Sequence, residues 1–198
     1  MKLLIFSDIH GYRSALERLT KQEADYYFSA GDLSNFGRGL DAMGEILKSR
    51  ADRVYSMPGN HESVEDNQRF CEKFGLHDVH GQLLTLDACT VAGLGCSNIT
   101  PFQTPGEYSE DELTSHLSLF SGKNVRVLVC HCPPKDTTLD RAGQGRHFGS
   151  PAVRTFLDHE QPAYFFCGHI HEAAGQTDRI GATLGMNVGK RGSLLEIA

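Results

Sequence analysis

Residues 2–11 read KLLIFSDIHG, four consecutive apolar side chains that stop abruptly at a polar pair and a glycine. A run of four to six apolar residues closed in this way reads as a strand buried on both faces. The pattern recurs in YYFSAGD (26–32), VYSMPGNHE (54–62), VRVLVCH (125–131) and AYFFCGHIH (163–171). Helical patterns separate the first three runs. SALERLTKQ (14–22) carries Leu16 and Leu19 on one face, and GLDAMGEILKSR (39–50) turns Leu40, Met43, Ile46 and Leu47 inward. A third helix is expected after HESVEDNQRF (61–70). This β-α-β-α-β-α order predicts parallel strands with helices covering their faces.

Outward from there, GQLLTLDACTVAGLGC (81–96) reads as two antiparallel strands with a turn at Asp87 and Ala88. A helix is expected from about Glu110 to Leu119. Residues 131–150, with Pro133, Pro134, Gly143, Gly145 and Gly149, read as loop. Ser150-Pro151 is a good helix start, a cap followed by proline in the first turn. AAGQTD (173–178), ATLGMNVG (182–189) and SLLEIA (193–198) read as closing strands. The expected fold class is α/β, a single domain over residues 1–198 with two face-to-face sheets and helices outside, a four-layer αββα sandwich.

The 198 residues, 39% of them hydrophobic, suffice for one well-buried domain. A net charge of −6 argues against extended contact with a nucleic-acid backbone, which needs a basic footprint. Six cysteines without a CxxC pair read as free thiols in a reducing compartment. Cys130 and Cys132 flank His131, but strand alternation points both away from its side. The first apolar stretch is too short for a signal peptide, and nothing approaches the ~20 apolar residues of a membrane span. A soluble cytoplasmic protein without membrane contact is expected.

Seven polar residues sit where the apolar runs end: Asp8, His10, Asp32, Asn60, His131, His169 and His171. Strand ends gather on one rim of an α/β sheet, where such folds place their ligands. Carboxylate, amide oxygen and imidazole form a mixed donor set suited to divalent transition ions. Each motif alone also reads as a turn, since Asp, Asn and Gly tolerate positive φ. In GHIH, alternation along an extended segment would turn both imidazoles to one side. All five motifs fall at strand ends together, and that coincidence favours a metal site.

In this order, DxH, GD, GNHE, a lone His after a strand, and GHIH resemble the calcineurin-like metallophosphoesterases, with the match running from Asp8 to His171. The resemblance implies two divalent ions. Asp8, His10 and His171 would hold one, Asn60, His131 and His169 the other, and Asp32 would bridge them. His61 occupies the position of the family's non-ligand catalytic histidine, placed to protonate the leaving oxygen while a metal-bridging hydroxide attacks phosphorus. The donor set favours Mn, with Fe, Zn, Co and Ni as alternatives.

The stretch HCPPKDTTLDRAGQGRHFGS (131–150) resembles a phosphodiesterase-like subgroup of small single-domain members. Its Arg146 and His147, in a glycine-rich loop before a helix start, are candidate substrate-binding residues. The loop lacks the lysine and spacing of a P-loop. Asp136 and Asp140 are expected to shape this loop and Asn35 to border the pocket. Glu62 would either orient His61 or start the next helix. His77, His80, His116 and His159 read as ordinary surface or hydrogen-bonded residues. The function expected is hydrolysis of a small phosphodiester or phosphomonoester; a nuclease of the same fold and a non-catalytic protein-binding scaffold are the alternatives. The sequence assigns no oligomeric state.

Overall fold

The computed structural model describes residues 1–87 and 89–197. In its first half, β1 (Lys2–Phe6), α1 (Arg13–Thr20), β2 (Tyr26–Ser29), α2 (Leu40–Leu47), β3 (Val54–Ser56), α3 (Val64–Phe74) and β4 (His77–Asp78) alternate. Next come β5 (Gln82–Leu86), β6 (Cys89–Leu94), β7 (Ser97–Asn98), β8 (Glu107–Tyr108), α4 (Glu110–Ser118) and β9 (Val127–Cys130). The chain closes with β10 (Arg141–Ala142), β11 (Arg146–His147), α5 (Pro151–Glu160), β12 (Tyr164–Cys167), β13 (Thr177–Ile180), β14 (Thr183–Asn187) and β15 (Ser193–Glu196).

Two sheets result. The first has the order β15-β1-β2-β3-β4, parallel except for β15. The second runs β13-β14-β12-β9-β6-β5, with a parallel centre and antiparallel edges at β13 and β5. Period-two alternation sorts the apolar side chains into three cores. Leu4, Phe6, Tyr27 and Val54 pack under α1–α3, while Leu128, Cys130, Phe165 and Cys167 pack under α4 and α5. Leu3, Ile5 and Phe28 meet Val127, Val129 and Phe166 between the sheets. The layers are helix, sheet, sheet, helix, as expected.

Cys130 and Cys132 lie in the core under α4 and α5, on the side away from His131, and all six cysteines are free and buried. Helix α3 begins at Val64, earlier than the sequence pattern suggested. Ser63 and Asp66 form a reciprocal capping box there, satisfying the first-turn N–H groups. Ser150 caps α5, with Pro151 in its first turn. Of the expected Asp87–Ala88 turn, Asp87 takes a φ of 51° and Ala88 lies outside the described residues. The closing strand expected at 173–178 sits later, at Thr177–Ile180, because His171–Ala173 form a 3₁₀ turn.

Candidate metal centre

In-register pairing aligns the ends of the first sheet's strands. Phe6 is opposite Ser29, and Ser29 opposite Ser56, so the segments carrying Asp8, Asp32 and Asn60 leave one edge together. In the second sheet, Leu94 opposite Cys130 and Val129 opposite Phe166 bring out His131 and the 168–171 segment in the same way. The chain then turns sharply. Asp8, His10, Asp32 and His169 all have left-handed backbone, with φ of 57°, 46°, 55° and 68°. Non-glycine residues adopt that region at a cost of order 1–3 kcal/mol each, and such residues cluster at functional sites. His169 and His171 therefore reach the site from a turn and not, as alternation suggested, from an extended segment. Gly59 and Gly168 permit the approach: a Cβ on Gly59 would collide with the Asp32 carboxylate, and one on Gly168 with Ser7 and Asp8.

The seven predicted residues converge. His10 Nε2 lies 2.9 Å from His171 Nε2, and His171 Nε2 lies 3.8 Å from Asp8 Oδ1. Asn60 Oδ1 faces His169 Nδ1 at 2.9 Å and His131 Nε2 at 3.2 Å. Asp32 Oδ2 stands between the groups, 3.6 Å from His10 Nε2 and 3.5 Å from His131 Nε2. Backbone carbonyls fix two of the imidazoles. His10 Nδ1 donates to Ser34 O at 3.1 Å and His131 Nδ1 to Ala30 O at 2.7 Å, which turns each Nε2 lone pair inward. Carbonyl bonding of the far ring nitrogen is how metal-ligating histidines are oriented. Asn35, expected at the pocket border, also holds His10, donating from Nδ2 to its carbonyl at 3.1 Å.

Electrostatics within the group are those of a buried acid–base set. Burial would raise the Asp32 carboxyl, but the neighbouring His131 holds it well below its usual range. Burial likewise disfavours charge on His131, and Asp32 and Asp8 outweigh it, lifting the imidazole to about 9. His169, desolvated and beside His131, is depressed to about 3. Burial raises Asp8.

His61 stands beside the group, with a ring nitrogen within 4.8 Å of donor atoms of His10 and Asp32. Its Nδ1 accepts the Phe36 N–H at 3.3 Å, which leaves the proton on Nε2. Burial lowers its pKa, favouring that neutral form. Glu62 neither orients the His61 ring nor caps α3. Its buried carboxylate accepts from the N–H groups of Asp32, Ser34 and Gly59 and from the Ser34 hydroxyl, at 2.6–3.0 Å, bracing the two loops that present Asp32 and Asn60. Burial and the nearby Asp32 raise its pKa to about 7 against those four donors.

The sequence matches the calcineurin-like phosphoesterase family over residues 1–173. The chain belongs to this family. A calcineurin-like phosphoesterase is a metal-dependent hydrolase of phosphoric esters, and this chain is 32% identical over 195 residues to the uncharacterised protein MJ1162 of Methanocaldococcus jannaschii, covering 94% of this chain and 87% of that one. It is 24% identical over 161 residues to a probable glycerophosphodiester phosphodiesterase of Arcobacter nitrofigilis, covering 78% of this chain and 59% of that protein. Among solved structures it resembles TT1561 of Thermus thermophilus, with a TM-score of 0.74, 19% identity and coverage of 95% and 88% of the two chains. It also resembles the phosphopantetheinyl hydrolase of Mycobacterium tuberculosis, with a TM-score of 0.67, 14% identity and coverage of 95% and 88%. At these identities the structural likeness shows the fold alone.

Members of the family use divalent metals, and the residues present fit such ions. Ligands on ~2.1 Å bonds sit about 3.0 Å apart in octahedral and about 3.4 Å apart in tetrahedral geometry, and the donor separations here run from 2.9 to 3.8 Å. Asp8 Oδ2 is buried without a hydrogen-bond partner among the described residues. A buried carboxylate oxygen left so is costly unless a cation meets it.

Asp32, Asn60, His61, His169 and His171 line a cavity of about 680 Å³. Arg146 and His147, the candidate substrate-binding residues, line the same cavity, and so does Lys135, which sequence reasoning passed over. Asp140 shapes the loop as expected. It is fully buried, and its oxygens accept from the N–H groups of Thr137, Gly149 and Asp136 and from His147 Nδ1. Thr104 was missed too: its hydroxyl takes the Asn60 Nδ2 hydrogen bond at 3.1 Å. No pattern in the sequence marked it.

Proposed function

We propose that this chain is a dinuclear metal-dependent phosphoesterase acting on a small phosphodiester or phosphomonoester. Asp8, His10 and His171 would hold one ion, Asn60, His131 and His169 the other, with Asp32 shared. The observation that carries this reading is the place of Asp32 Oδ2, nearly equidistant from His10 and His131, imidazoles that belong to the two different ligand groups. When bound, the ions supply Lewis acidity toward the phosphoryl oxygens and increase the acidity of water. The donor set suits Mn first, then Fe, Zn, Co or Ni.

The chain's own residues do the rest. His61 carries its proton on Nε2 and gives it to the departing ester oxygen, while Phe36 N–H and the edge of His10 hold the ring in place. The cavity walls exclude bulk water from one side of the phosphoryl and seat the organic part of the substrate. The Arcobacter relative's name favours a diester. The net charge of −6 disfavours extended nucleic acid. Six buried free thiols and the lack, among the described residues, of a helix able to cross a membrane are consistent with a single cytoplasmic domain.

The test is to strip the protein with a chelator, reload it with Mn and assay bis(4-nitrophenyl) phosphate and 4-nitrophenyl phosphate. About two ions per chain and Mn-dependent release of nitrophenolate are expected. His61→Ala should keep its ions and lose about 10²- to 10⁴-fold in kcat. A protein that holds metal yet cleaves neither ester would sink the reading.

A further inference from the structure

The cavity lined by the candidate metal ligands also carries cationic side chains, in a protein of net charge −6. Lys135, Arg146 and His147 all line it. The ion pairs among the described residues include neither Lys135 nor Arg146. Arg146 stacks over Phe148, 5.3 Å from the ring centroid, and makes only a long contact of 3.5 Å to Gly143 O. His147 Nδ1 donates to the buried Asp140 at 2.7 Å, which leaves Nε2 for the cavity. Asp140 itself is spent: both of its oxygens are saturated by donors of the loop.

This loop is braced. Asp140 ties together residues 136, 137, 147 and 149, Lys135 N–H bonds Ser150 O at 3.1 Å, and Asn98 Nδ2 bonds Phe148 O at 3.2 Å. Two unpaired cations and a fixed imidazole on a rigid wall await an anion. The scissile phosphoryl would already be served by the metal-ligand end, through Asp32, Asn60, His61, His169 and His171. At about 680 Å³ the cavity falls in the range of roughly 300–1,000 Å³ that holds whole small molecules, so it has room beyond one phosphoryl group.

We propose that Lys135, Arg146 and His147 form a second anion subsite, and that the substrate is a phosphoester carrying a further carboxylate or phosphate on its organic part. The exposed Glu172 lines the same cavity but makes no ion pair with Lys135 or Arg146 among the described residues. The inference rests on the phosphoesterase reading, and the test separates the two. Bis(4-nitrophenyl) phosphate and 4-nitrophenyl phosphate, neither of which carries a second anion on its organic part, report turnover; cleavage of neither would strike the enzyme reading and leave the subsite to be measured by calorimetry.

Three series of matched chain length, alkyl phosphonates, α,ω-bisphosphonates and ω-phosphonocarboxylates, are then bound to the Mn-loaded protein. At the length that spans the cavity, a second anion should tighten binding about tenfold, the scale of one charge-assisted hydrogen bond. Gain confined to the bisphosphonates supports a second phosphate, and gain confined to the phosphonocarboxylates supports a carboxylate. The gain should vanish in Lys135→Gln/Arg146→Gln, whose fold is checked by circular dichroism. No gain at any length, or a gain that survives in the double variant, overturns the proposal.

Discussion

Asn60 can offer a metal its oxygen only if its amide is held one way round, and a short chain of hydrogen bonds decides which. Hydrogen bonds from Thr100 and Thr104 outweigh the partial burial of Glu107 and lower its pKa. An ionised carboxylate only accepts, so the Thr104 hydroxyl must donate to it and turn a lone pair toward Asn60. That lone pair accepts Asn60 Nδ2–H at 3.1 Å, leaving Oδ1 toward His131 and His169. Thr104→Val keeps the shape and removes the acceptor. Its affinity for the ion on the Asn60 side should fall about 10- to 100-fold, the usual cost of losing such an orienting partner, whereas Thr104→Ser should retain it. Calorimetric titration of the stripped protein reads both, and equal affinity in all three proteins would refute the relay. The contrast shows what a sequence displays at this scale. Asp8, His10, Asp32, Asn60, His131, His169 and His171 were legible because each closes an apolar run, a local signal. Thr104, Glu107 and Lys135 act through contacts that only the folded chain creates, from segments with no periodicity of their own.

At the scale of elements, the apolar runs and the helices between them made the parallel strands of the first sheet legible, since strands buried on both faces need no polar alternation. The parallel centre of the second sheet emerged only in the fold. The joints between elements were harder to read. α3 starts at its capping box, and the GHIH histidines rely on the positive φ of His169, neither of which hydrophobic periodicity encodes. One joint is pH-sensitive. His80, between β4 and β5, accepts Gly95 N–H on Nδ1 at 3.1 Å and meets Tyr108 Oη through Nε2 at 3.2 Å, linking the ends of β6 and β8. Protonating Nδ1 breaks the bond to Gly95. Burial, reinforced by the charge of His116, depresses His80 to about 4 from an ordinary 6.5. A base whose folded value is the lower one is protonated first in the unfolded chain, so this contribution is full above pH 6.5. It declines as pH falls from 6.5 to about 4, by up to about 1.4 kcal/mol per pH unit and less for the part of the ring open to water. Urea unfolding of wild type and His80→Gln across that window should give a shallower slope for the variant. Parallel slopes would mean His80 contributes nothing.

Across the whole molecule, the candidate metal centre is a place where polar groups from the two sheets meet. Asp8, His10, Asp32 and Asn60 come from the edge of the first sheet, and His131, His169 and His171 from the second. Elsewhere the sheets meet through apolar contacts such as Leu3, Ile5 and Phe28 against Val127, Val129 and Phe166. A cation held by donors from both edges would cross-link the layers, and it would also meet the unpartnered Asp8 Oδ2. Its binding energy then adds to folding energy, because the unfolded chain has no such site. Metal at a hundred times its dissociation constant stabilises by about 2.7 kcal/mol. For a domain of this size that is a rise in Tm of roughly 5–10 °C. Calorimetric melting of chelator-stripped and Mn-loaded protein should show that difference. It should shrink in Asp32→Asn, which weakens the carboxylate proposed to be shared while keeping its shape. An identical Tm with and without metal, in protein shown by elemental analysis to have bound it, would mean that the ions bind the unfolded chain as tightly as the folded one and refute a preformed site.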